Sequence, residues 1–159
     1  MTVPEGKPCH GVIISQGGFA GGWMLYVKDG HLTYCYNFAG LEKYLVTSTQ
    51  AVPSGEHQLR MEFAYEGGGL GKGGTVSLYI DGKSVGAGKI ERTLPMVFSI
   101  DETYDLGIKR GSPITSDLPT ENTAFTGTVR VVVIETDSKE SVDHLISHDQ
   151  LINILMARQ

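Results

Sequence analysis

The chain has 159 residues, 40% hydrophobic and 19% charged, with a formal net charge of −5. That length and composition suit one globular domain with its own core. The acidic balance argues against nucleic acid or an anionic membrane as partner, because both demand a basic face. No apolar run is long enough to span a bilayer as a helix. The opening Met1-Thr2-Val3-Pro4-Glu5-Gly6 has neither the basic start nor the apolar stretch of a signal peptide. The expected location is therefore cytoplasmic, or periplasmic or secreted if the chain is cut from a longer precursor.

In chain order, Gly11 to Gln16 is short and β-branched and ends at Gly17-Gly18. Two similar hairpins follow, each read as strand, Asp-Gly turn, strand. The first runs from Trp23 through Asp29-Gly30 to Asn37, and the second from Ser77 through Asp81-Gly82 to Ala87. Asp-Gly permits positive φ at both central positions, as a type I′ turn requires. With Asp29 and Gly30 as the loop, Lys28 faces His31, Val27 faces Leu32, Leu25 faces Tyr34 and Trp23 faces Tyr36. Trp23, Leu25, Val27, Leu32, Tyr34 and Tyr36 then share the core face, while Met24, Tyr26, His31, Thr33 and Cys35 share a more polar one.

Tyr44 to Ser48 is a further β-rich run, and Pro53-Ser54-Gly55 is a turn. The alternation after it predicts a strand with His57, Leu59, Met61, Phe63 and Tyr65 inward and Gln58, Arg60 and Glu62 outward. Gly67 to Gly74 is glycine-rich. Pro95 to Ile100 reads as a short apolar strand, residues 101–124 as a long polar excursion, and Phe125 to Thr136 as a Val-rich strand. Short strands at this spacing predict an all-β fold, a two-sheet antiparallel β-sandwich or jelly roll spanning residues 1–136. The tail, 137–159, changes period. Asp137 and Glu140 form a capping-box pattern, and Val142, Leu145, Ile146, Ile152, Leu155 and Met156 recur at helical spacing. A C-terminal helix is expected there, packed on the sandwich or on a second protomer.

Chemistry-bearing motifs are sparse. The loop Glu66-Gly67-Gly68-Gly69-Leu70-Gly71-Lys72-Gly73-Gly74 lacks the leading Gly and the trailing Ser or Thr of a phosphate loop, and a strand follows it where a nucleotide fold needs a helix. His144 and His148 stand four apart without the Glu of a zinc protease between them. Cys9 and Cys35 read as two buried or half-buried thiols, a lone bridge being the alternative. Asp101, Glu102 and Asp105, with Asp117 and Glu121 further on, offer oxygen ligands for calcium without EF-hand spacing, and no other cofactor is expected. Tyr26, Tyr79 and Tyr104 have no place on the core face and are candidates for stacking on sugar or aryl rings.

Several strings taken in order carry a family resemblance. They are Gly21-Gly22-Trp23-Met24-Leu25-Tyr26-Val27-Lys28-Asp29-Gly30, Tyr36-Asn37-Phe38-Ala39-Gly40-Leu41, Phe63 to Gly74, Leu78-Tyr79-Ile80-Asp81-Gly82-Lys83, Ser99 to Gly107, and Phe125-Thr126-Gly127. The series, covering most of Val3 to about Glu135, resembles the C-terminal, non-catalytic domain of bacterial arylsulfatases. It is similar more generally to concanavalin A/laminin-G jelly rolls. The resemblance implies that fold and a role beside a sulfatase catalytic domain. It does not carry sulfate-ester hydrolysis to this chain, because the nucleophile motif, Cys or Ser followed by x-Pro-x-Arg, is absent: Cys9 is followed by His10, Gly11 and Val12. Where related acidic loops continue with acids, Ile108-Lys109-Arg110 intervene.

The expected function is that of a non-catalytic accessory domain whose partner is a sulfatase catalytic domain. One alternative is a free-standing carbohydrate-binding module using Tyr26, Thr33, Asn37 and Tyr79. The other is self-association into a homo-oligomer through the tail helix.

Overall fold

The computed structural model describes residues 1–6, 8–95, 104–118 and 121–136. The described residues are all-β with no helix, and ten strands pair antiparallel throughout. They are β1 (Thr2–Val3), β2 (Gly11–Gly18), β3 (Gly21–Lys28), β4 (His31–Phe38), β5 (Glu42–Ala51), β6 (Gly55–Glu56), β7 (Leu59–Tyr65), β8 (Lys72–Ile80), β9 (Lys83–Arg92) and β10 (Tyr104–Leu106). A five-stranded sheet has the order β10-β2-β3-β4-β5, a three-stranded sheet the order β7-β8-β9, and β1 pairs with β6 as a small ribbon. The two larger sheets face each other in a sandwich-like arrangement. The expected tail helix, 137–159, lies outside the described residues, as does the expected strand beyond Pro95.

Turn chemistry sets the registers. Asp29 and Gly30 have φ of 50° and 81°, and Asp81 and Gly82 have 49° and 77°, the left-handed pair that twists a two-residue loop in the same sense as its strands. The first hairpin adopts the register that its loop dictates: Lys28 opposite His31, Val27 opposite Leu32, Leu25 opposite Tyr34 and Trp23 opposite Tyr36. Because side chains alternate, Leu25, Val27, Leu32, Tyr34 and Tyr36 fall on the face turned toward the second sheet.

That sheet answers with Val76, Leu78, Ile80, Val85 and Ile90. Val27, Leu32, Val76, Leu78 and Ile90 are completely buried, and each such side chain stabilises the fold by about 1.5–3 kcal/mol relative to exposure. β9 closes one side of the sandwich against β5. It approaches so closely that a Cβ at Gly88 would lie 2.6 Å from Val46 Cγ2, and one at Gly86 2.9 Å from the Thr47 carbonyl oxygen. A Thr49 hydroxyl bond to the Val85 carbonyl (3.0 Å) and an Arg92–Glu42 ion pair reinforce that seam.

Two stretches depart from the expected layout. Within the polar excursion, Tyr104–Leu106 forms β10, an edge strand pairing with Ile14 to Gln16. The Val-rich stretch 125–136, expected as a strand, forms no ladder with the described residues and makes a single bridge to them, between Thr128 and Thr2. Residues 123–126 continue the edge that β10 begins: Val12 N–H donates to the Thr123 carbonyl and Thr126 N–H to that of His10. Beyond Thr128 no strand among the described residues pairs with it, so alternation alone does not make a strand there.

Candidate functional site

The outer face of the five-stranded sheet carries most of the side chains singled out for ligand binding. It is not open. Residues 107–118 cross it as a strap, seating Ile114 and Leu118 on Val12, Met24, Tyr26 and Cys35. A carboxylate fastens the strap: Tyr26 donates its hydroxyl to Asp117 Oδ2 (2.5 Å), and Lys28 donates from Nζ to Asp117 Oδ1 (2.5 Å). Desolvation pushes Asp117 upward, but the bonds from Lys28 and Tyr26 win and hold it below the usual carboxylate range. Burial, then the Asp117 bond and charge, raises the Tyr26 phenol. Burial pushes the Cys35 thiol up to about 12, so it is inert while covered.

The remaining expected ligand residues are engaged in contacts of their own. Thr33 is buried, with its hydroxyl 3.3 Å from that of Thr47. Asn37 is fully buried. Its Nδ2 donates to the carbonyls of Gly18 (2.9 Å) and Phe19 (3.0 Å), and its Oδ1 accepts from Gly40 N–H (2.9 Å), so one amide clips two neighbouring turns. Tyr79 belongs to the other sheet, alternating with the inward Leu78 and Ile80, and its ring lies under the Arg60 guanidinium at 4.1 Å. Tyr26, Thr33 and Asn37 therefore share a covered face, and Tyr79 does not join them.

Asp101 and Glu102, expected as calcium ligands, lie outside the described residues. Asp105 is buried and already occupied: Lys109 Nζ donates to it at 3.0 Å and Arg110 N–H at 2.9 Å. A cation next to Lys109 would have to displace that ammonium. Among the described residues no group of three or more His, Cys, Asp or Glu side chains is placed to hold a metal ion. Cys9 and Cys35 are free and buried. His57 and Asp81 form a contact at 2.7 Å, but the oxygen on the other side of the ring is the Ser54 carbonyl, which is no nucleophile.

What is exposed instead is an apolar edge. Tyr104 is 55% exposed, Leu106 57%, Val131 74%, Val133 70% and Ile134 60%. A cleft of about 290 Å³ separates β10 from the stretch after it, with Leu106, Phe125, Val129 and Val131 among its walls. The edge is continuous with the core through aromatic contacts. Tyr34 stacks on Trp23 (centroids 6.4 Å apart), and Trp23 meets Tyr104 edge-on at 6.2 Å. Trp23 is held in place by its Nε1–H bond to Gln16 Oε1 (3.0 Å). Of these side chains the sequence flagged Tyr104. Leu106 was hidden by its place in a polar excursion and the 131–134 stretch by its strand-like alternation.

No protein-family model, curated protein or solved structure matches the chain.

Proposed function

We propose that this chain is a non-catalytic accessory domain of the arylsulfatase type that docks on a hydrolase body through its apolar edge. The exposure of Leu106 and Val131 in the walls of one cleft, with Tyr104 beside Leu106 on β10 and Val133 and Ile134 following Val131 in the chain, supports the docking part of this reading, since exposed apolar surface of this kind marks interaction sites. The arylsulfatase part rests on the ordered sequence strings, and the concanavalin A-type jelly roll is the finer form of the sandwich that they imply. The carbohydrate-binding alternative loses support, because Tyr26, Thr33 and Asn37 lie beneath other residues.

The test mixes the chain with the separately produced catalytic domain of a bacterial arylsulfatase and follows complex formation by sedimentation. A complex is expected, lost in a Leu106→Lys/Val131→Lys double variant whose circular dichroism and thermal midpoint match the wild type. Surface changes of that kind alter stability by about 0.5 kcal/mol or less. Absence of a complex overturns the docking partner, and a concentration-dependent dimer of the chain alone reassigns the edge to a second copy. Turnover of an aryl sulfate by the isolated chain overturns the non-catalytic assignment.

A further inference from the structure

The corner between β6 and β7 concentrates contacts on one side chain. Both His57 ring nitrogens face oxygens that only accept: Nδ1 is 2.7 Å from Asp81 Oδ2, and Nε2 is 3.2 Å from the Ser54 carbonyl. A neutral imidazole has one N–H and leaves a lone pair against the second oxygen, whereas the imidazolium donates to both. The backbone of the same residue holds the start of the chain. His57 N–H donates to the Met1 carbonyl (2.9 Å), and the Met1 nitrogen donates to the His57 carbonyl (2.8 Å). β1 then pairs with β6, and Thr2 exchanges two backbone bonds with Thr128, at 2.8 and 2.9 Å, in the wall of the cleft.

We propose that protonated His57 is a clasp that fastens the N-terminal strand, and through it the 127–129 wall, to the Asp81-Gly82 turn, and that it opens as pH rises. The geometry supplies every link. Asp81 is itself locked to the corner, accepting Gln58 N–H at Oδ1 (2.9 Å) and donating its own N–H to the Gln58 carbonyl (2.9 Å). Deprotonation removes one of the two ring contacts and leaves β1 hanging on backbone bonds at the sheet margin. The charged groups that bear on the clasp are Asp81, the Met1 amino group and Lys83 at the start of β9; Glu56, the residue before His57, is engaged in an ion pair with Arg130.

The direction of the effect follows from linkage. The Asp81 bond, set against partial desolvation, raises the His57 pKa above its ordinary value. The same bond lowers that of Asp81. A group whose folded pKa is raised contributes fully below its unfolded value, about 6.5 for histidine, and loses that contribution as pH climbs through the folded value. Asp81 sets the acid limit, because it contributes above its unfolded value near about 3.9 and fails as pH falls through its lower folded one. The clasp is closed between those limits. It stands independently of what docks at the edge.

The experiment follows the His57 imidazole by NMR titration of the full chain and compares the thermal midpoints of wild type, His57→Gln and Asp81→Asn across pH. The His57 midpoint is expected above the free-imidazole value in the wild type and shifted down toward it in Asp81→Asn. The stability gap to His57→Gln is expected at about pH 6 and closed at about pH 9, with the Thr2 and Thr128 amide resonances moving along the His57 titration curve. A His57 midpoint at or below the free value, or a gap constant with pH, overturns the clasp. If His57→Gln does not fold, the wild-type and Asp81→Asn titrations decide alone.

Discussion

The two faces of the five-stranded sheet are buried by different means. The inner face is dry: Leu25, Val27, Leu32 and Tyr34 meet Val76, Leu78 and Ile90 from a second sheet, each partner arriving on its own strand alternation. The outer face is covered by a strap without regular structure. It supplies two aliphatic side chains, Ile114 and Leu118, and is fastened by a polar clamp of Asp117 on Tyr26 and Lys28. Sheet against sheet gains stability from area and is insensitive to any single polar group. Strap against sheet buries less and depends on a few directional bonds, so it is the part of the molecule in which one charge matters.

That contrast is open to attack by substitution. The largest effect is expected inside, where Leu78→Ala removes a completely buried side chain and costs about 2–5 kcal/mol, read from chemical denaturation. Asp117→Ala is expected to cost less, about 1–3 kcal/mol, but to do what the core variant does not: lift the strap in the native state and expose Cys35, read as faster modification by a thiol reagent in the absence of denaturant. If Leu78→Ala speeds that reaction more than Asp117→Ala, the two faces are one cooperative unit and the distinction fails. The clamp also has a pH signature. Because the Asp117 pKa is lowered in the folded chain, its contribution is present above about pH 4 and fades as pH falls through the folded value. The stability difference between wild type and Asp117→Asn is therefore expected to shrink on the acid side and stay flat toward neutrality. The smallest effect is expected from Thr33→Val, about 1 kcal/mol or less. That hydroxyl has only long contacts, 3.3 Å to Thr47 and 3.4 Å to the His31 carbonyl.

Legibility in the sequence follows the same division. The first hairpin was readable to the residue, because Asp29-Gly30 fixes the loop and a fixed loop fixes every cross-strand pair. The inner face followed from period two. The outer face reads as the more polar one, and its cover is not legible because it is non-local: nothing in Tyr26 or Cys35 announces that Ile114 and Leu118 will sit on them. Asn37 was misread for a similar reason. A buried amide satisfying two turns and a sugar-binding amide have the same composition, and only the positions of Gly18, Phe19 and Gly40 separate them. Residues 129–134 failed in the opposite sense, since they alternate like a strand but pair with no strand among the described residues. The exposed edge was invisible because exposure of Leu106 or Val131 is set by tertiary packing rather than by local pattern.

The pairing of His10 with Thr126, 116 residues apart, has a kinetic consequence. β2 acquires its outer neighbours, β10 and residues 123–126, only after β3 to β9 have been synthesised, so that edge is bare until then. Closure must then span the 116 residues between His10 and Thr126. Non-local pairing of this kind places refolding in roughly the millisecond-to-second range rather than in microseconds, and makes early-terminated products prone to strand-to-strand aggregation.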